Sequence, residues 1–123
     1  MASLTLLKTF SDNRGHLTVA EREIPFDVKR IFFIYGMPSD TVRGGHRHYE
    51  TIHACICVKG SCRIRVDDGE RRTDFLLDGP EKCLILNPED WHTMEDFSPD
   101  CVLLVLASDY YKPEEYIYEG YGK

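Results

Sequence analysis

The tract Arg43-Gly44-Gly45-His46-Arg47-His48 places two histidines one residue apart, directly after a glycine pair. In an extended strand, residues i and i+2 project to one face, so His46 and His48 present their rings together. Two imidazoles on one face can ligate a divalent metal or act as a proton-transfer pair. Deciding between these largely decides the function.

The elements that must position this pair read as short β-strands. Leu4–Phe10, Gly15–Glu21, Arg30–Tyr35, Ile52–Lys59, Cys62–Asp67, Thr73–Leu77, Lys82–Leu86, His92–Asp96 and Val102–Ala107 all have β character. Turn signals such as Asp12-Asn13-Arg14-Gly15, Asp67-Asp68-Gly69 and Asp78-Gly79-Pro80 separate them. Such spacing predicts an all-β sandwich, jelly roll or barrel. One exception is expected, a short C-terminal helix over Lys112–Ile117 with Pro113 in its first turn. In Thr51–Lys59, one face carries His53, Cys55 and Cys57, as a pocket lining would. The other carries Ile52, Ala54, Ile56 and Val58, a core face. Cys101–Ala107 is apolar on both faces, which predicts a central strand or one at a subunit interface.

The chain has 123 residues, 42% hydrophobic and 29% charged, which predicts one globular domain spanning 1–123. No apolar run approaches the roughly 20 residues of a bilayer span. The first residues lack a basic stretch and apolar core, so no secretory signal is expected. Five cysteines, an odd number, suit reduced thiols in a cytoplasmic protein. The net charge of −6 argues against nucleic-acid binding. An anionic ligand is compatible only with arginines gathered locally in a pocket.

His46, His48, His53 and Gly60 are followed by Pro88, His92 and Asp96. This layout resembles the cupins, whose first motif reads G-x5-H-x-H-x4-E-x6-G and whose second contains P-x-G-x2-H-x3-N. The first matches at His46, His48 and Gly60 but carries His53 in place of the glutamate. The second is matched loosely by Pro88 and His92, with Asp90 where glycine is usual and one residue rather than two before the histidine. The resemblance implies a cupin-type jelly roll (RmlC-like β-sandwich). In metal-binding cupins the corresponding residues hold a divalent cation. His46, His48, His53 and His92 offer an all-histidine set, but the anionic ligand is gone.

A narrower resemblance covers residues 12 to about 118. Asp12-Asn13-Arg14-Gly15-His16-Leu17, the strand Arg30–Tyr35, Arg43–His48, Gly60-Ser61-Cys62, Trp91-His92 and Ser108-Asp109-Tyr110-Tyr111 are similar, in order, to the WxcM-like sugar-nucleotide cupins. That family's best-defined enzymes are dTDP-4-keto-6-deoxyglucose 3,4-ketoisomerases, which serve the biosynthesis of 3-amino-3,6-dideoxyhexoses. The resemblance implies a metal-independent, cofactor-free homodimer with an exchanged N-terminal strand. It also implies that a dTDP-linked keto-deoxy sugar is the partner.

Moving a carbonyl from C4 to C3 requires removing the acidic C3 hydrogen and protonating C4. Imidazoles suit both steps because their pKa lies near 6.5. His48 is expected as the principal acid/base, with His46 as its partner and Tyr35 hydrogen-bonding the sugar oxygen. Arg43 and Arg14 are expected on the diphosphate, since the guanidinium fork fits phosphate oxygens. Arg63 and Arg65, on one strand face, are a second clamp or a solvated edge. His16 is expected near the hexose, and His53 and His92 in the pocket or in structural hydrogen bonds. The tyrosines at 110, 111, 116, 118 and 121 are expected to pack the tail on the barrel. Three alternatives stay open: a metal-dependent cupin dioxygenase or isomerase, a nucleotide-sugar 3,5-epimerase, and a non-catalytic sugar-binding cupin.

Overall fold

A computed structural model describes residues 1–122 as two five-stranded antiparallel sheets and a separate ribbon. The strands are β1 (Ser3–Leu6), β2 (Lys8–Asp12), β3 (Gly15–Val19), β4 (Arg30–Tyr35), β5 (Arg43–His48), β6 (His53–Lys59), β7 (Cys62–Asp67), β8 (Arg72–Leu77), β9 (Lys82–Leu86), β10 (Trp91–Glu95), β11 (Val102–Ala107) and β12 (Tyr116–Ile117). One sheet has the order β1-β9-β6-β11-β4 and the other β12-β5-β10-β7-β8. β2 and β3 pair only with each other.

The alternation within strands sets which side chains meet between the sheets. Cys55 and Cys57 on β6, Leu84 and Leu86 on β9, and Leu103 and Val105 on β11 meet Ile64, Val66, Leu77 and Met94 of the other sheet. The opposite face of the first sheet is covered too. Leu7, Ile24 and Phe26 pack on Ala54, Ile56, Cys83, Ile85 and Leu106. That second layer explains why β11, flanked by β6 and β4, is apolar on both faces.

Two expectations about element boundaries are corrected. The stretch Leu4–Phe10 is two strands, broken at Leu7, whose amide instead donates to the Glu81 carbonyl at 2.7 Å. The C-terminal helix is a single 3-10 turn over Pro113–Glu115. Tyr116 and Ile117 then extend and pair with His48 and Arg47. Proline starts the turn, but the ladder offered by the edge of β5 ends it. No helix among the described residues is long and apolar enough to cross a membrane.

Candidate active site

β5 enters the site through its glycine pair. Gly44 and Gly45 have φ of +85° and +79°, values that disfavour any side chain. A Cβ on Gly44 would stand 2.9 Å from the His92 carbonyl oxygen, too close to be accommodated. The register confirms a bulge: His46 faces His92, Gly44 faces Thr93, and Gly45 is the extra residue. The bulge carries β5 across β10 and turns its histidines inward.

Four imidazoles gather behind it. The His46 ring centroid lies 5.0 Å from those of His48 and His92. That of His48 lies 4.6 Å from His53. Tyr116 crosses both members of the pair, 4.6 Å from His46 and 4.7 Å from His48. A cavity of about 510 Å3 opens in front. Its walls come from His46, His53 and His92, from Arg30, Phe32 and Ile34 of β4, from Arg43, and from Tyr111, Tyr116 and Tyr118. His48 sits one layer deeper, buried among His46, His53 and Tyr116.

Burial, followed by crowding from neighbouring imidazoles, disfavours the charged forms. His48 falls to about 4, through burial and His46, with Glu115 pulling the other way. His53 falls to about 3, and so does His92, which is held there by burial against the opposing Asp90 hydrogen bond. His46 is lowered by burial as well. The cluster is therefore neutral at pH 7, with lone pairs available to accept protons.

Two hydrogen bonds orient these rings. His92 Nδ1 lies 3.1 Å from the Asp90 carbonyl, which can only accept. His48 Nδ1 lies 3.2 Å from Glu115 Oε1, and His48 Nε2 is buried with no partner. Glu115 was not legible as a site residue. It lies 67 residues from His48, and no local pattern links them.

The histidines do not form a ready metal cage. Among the described residues, the set of His, Cys, Asp or Glu donors drawn within 4.8 Å of one another is Cys57, Cys62 and Cys101, within the packed core. The histidine nitrogens do not converge in this way, and two are committed to Glu115 and Asp90.

The structure brings together His46, His48, His53, His92 and Arg43 of the residues singled out from sequence. Several others lie elsewhere. Tyr35 projects outward from β4 with Ile31 and Phe33 and is 67% exposed. Strand alternation sends Arg30, Phe32 and Ile34 to the cavity instead. Arg30 was already in the matched strand, and its polarity at a half-buried position was the missed signal. Arg63 and Arg65 lie on the outer face of β7, paired with Asp96 and with Glu95 and Asp74. Both guanidiniums are thus engaged by carboxylates of their own chain. Arg14 and His16 lie on the β2–β3 ribbon, where Arg14 binds Asp12 and His16 faces Ser11. Tyr111, Tyr116 and Tyr118, expected as packing residues, line the cavity.

A double antiparallel sheet with a neutral histidine cluster at one mouth defines a cupin-type jelly roll. The chain belongs to the WxcM-like, C-terminal (FdtA) family, whose model matches residues 2–122. It is 41% identical over 120 residues to the TDP-4-oxo-6-deoxy-alpha-D-glucose-3,4-oxoisomerase of Aneurinibacillus thermoaerophilus, covering 94% of this chain and 86% of the relative. It is similar to a solved histidine-to-asparagine mutant of the 3,4-ketoisomerase QdtA from Thermoanaerobacterium thermosaccharolyticum, in complex with TDP-4-keto-6-deoxyglucose. There the TM-score is 0.92 at 38% identity, covering 96% of this chain and 87% of that one. The dTDP-4-dehydrorhamnose 3,5-epimerase of Bacillus anthracis superposes with a TM-score of 0.83 at 15% identity, covering 94% and 76%, a likeness of fold alone.

Proposed function

We propose that this chain is a TDP-4-keto-6-deoxyhexose 3,4-ketoisomerase, a cytoplasmic enzyme formed by one cupin domain. The observation that carries the reading is the neutral histidine cluster. It lies behind an arginine-bearing cavity, and its His48 Nε2 is buried and unpartnered. The relatives above supply the substrate class.

The reaction needs no external oxidant. His48 Nε2 takes the C3 proton, and the C3–H electron pair becomes the C3=C4 bond of an enediolate with charge on O4. The O3 proton passes to O4, with His46 as the relay on the cavity wall. After its Nε2 proton exchanges with solvent, the imidazolium of His48 delivers a proton to C4, leaving a ketone at C3 and a hydroxyl at C4. In this state Tyr116 covers His48, so substrate entry displaces that ring. Arg43 and Arg30 face the cavity without a carboxylate ion-pair partner among the described residues, and they are assigned to the diphosphate. Arg30 also stacks on Phe32 and Tyr111.

The protein acts as a homodimer. The β2–β3 ribbon leaves Phe10 and Leu17 about 60% exposed, and β4 presents Ile31, Phe33 and Tyr35 outward. A second copy docking there covers this apolar surface and gives Arg14, His16 and Tyr35 a place against another cavity.

The test is incubation with TDP-4-keto-6-deoxyglucose in deuterated water, followed by NMR. A C3 ketone with deuterium at C4 is expected, before and after exhaustive chelation. Deuterium at C5 without a C3 ketone, or loss of activity on chelation, contradicts the reading.

A further inference from the structure

We infer that Glu115 is a positioning residue that locks His48 as its Nδ1–H tautomer and thereby holds the Nε2 lone pair ready for the substrate proton. The inference rests on the ketoisomerase reading for the proton that moves, but not for the tautomer itself.

The carboxylate is held from several sides. Oε1 accepts from the Thr51 hydroxyl at 2.7 Å and the Thr51 amide at 3.3 Å, and Oε2 accepts from the Glu50 amide at 2.7 Å. Backbone stitching adds to this, since the Tyr49 amide donates to the Glu115 carbonyl at 3.3 Å. Burial alone would raise the carboxyl pKa, but the Thr51 hydroxyl, the two amides and His48 together hold it below the usual value. Glu115 is therefore an anion with acceptors only, so the atom facing it, His48 Nδ1, must carry the hydrogen. A neutral imidazole with Nδ1–H has its lone pair on Nε2, the atom left unpartnered. Buried donors and acceptors without partners are rare in folded proteins. Here the unpartnered Nε2 lone pair is the acceptor assigned to the transferable proton.

Of the groups facing His48, Glu115 is the one that favours its protonation. His46 from β5 and Arg30 from β4 oppose protonation, and His53 from β6 packs 4.6 Å away. Tyr116 and Tyr111 line the same small space, where Asp109 and Lys112 pair with each other. Glu115 is the anion that meets the ring. Replacing it with glutamine removes charge and one acceptor. The amide must then turn its NH2 toward either the Glu50 amide or His48, and the second choice reverses the tautomer.

The experiment uses 15N-histidine-labelled protein and steady-state kinetics on TDP-4-keto-6-deoxyglucose. Wild-type His48 is expected as Nδ1–H in the nitrogen–carbon-bound-proton correlation spectrum. E115Q is expected to lose that signature and about 10- to 1000-fold in kcat, with KM within about threefold. Its acid limb of kcat/KM moves to lower pH, which a merely structural role would not cause. E115D, which keeps the charge, recovers part of kcat and restores the limb. It decides the matter if E115Q does not fold. A wild-type Nε2–H signature, or E115Q with unchanged tautomer and kcat, overturns the inference. Should the wild-type protein not turn over this substrate while showing Nδ1–H, the enzymatic reading fails and the tautomer lock stands.

Discussion

Gly44 and the carbonyl of His92 approach so closely that a Cβ at position 44 would lie 2.9 Å from the oxygen. Gly45 has the same left-handed backbone but open space around it. The pair therefore separates two costs. Gly45→Ala should lose about 1–2 kcal/mol, the strain of a left-handed alanine. Gly44→Ala should lose more, because β10 must also move. Urea denaturation of both variants checks the order, and activity should fall further in Gly44→Ala because His46 and His92 ride on the bulge.

The histidine cluster makes stability fall in mild acid. His48, His53 and His92 have folded pKa values of about 4, 3 and 3, below the unfolded value of about 6.5. The unfolded chain therefore binds more protons between these values. The stabilisation is complete above pH 6.5 and is lost as pH drops toward 4 and 3. The urea midpoint should decline across that window, and His53→Gln should flatten the decline. A midpoint rising from pH 6.5 to 4.5 contradicts the cluster as described.

Arginines should sort by the cavity rather than by charge. Arg43→Ala removes a cavity-facing cation, and a charge-assisted hydrogen bond of about 1.5–3 kcal/mol corresponds to roughly a 10- to 100-fold rise in KM. Arg63→Ala and Arg65→Ala should leave KM within about twofold, since both side chains are engaged with carboxylates on the outer face.

All five cysteines are free and buried. Cys57 and Cys101 bring their sulfurs within 3.5 Å, yet both lie in the packed core. Ellman's reagent should react slowly with the native protein and titrate five thiols in guanidinium. A thiol that reacts within seconds in the native state would contradict this packing.

Much of this architecture was legible because period-two alternation is a local property. β4, β7, β9 and β11 fall where their apolar patterns place them. The inward face of β6 was readable from His53, Cys55 and Cys57. Phase was harder on β4, where Ile31, Phe33 and Tyr35 are as apolar as Phe32 and Ile34, so the pattern alone does not say which set faces the cavity of its own chain. The tail failed for a different reason. Pro113-Glu114-Glu115 is a sound helix start, but the free edge of β5 captured Tyr116 and Ile117 as a strand. That capture also brought Glu115 and Tyr116 onto His48. Contacts made by tertiary pairing over 67 residues leave no trace in local sequence.

The most direct test of the central claim compares His48→Asn with His46→Asn in the C4 deuterium assay. The account predicts that His48→Asn still binds TDP but loses about 100- to 10,000-fold in turnover and in deuterium incorporation, whereas His46→Asn retains measurable exchange. Full turnover by His48→Asn, with exchange abolished only in His46→Asn, would contradict His48 as the base.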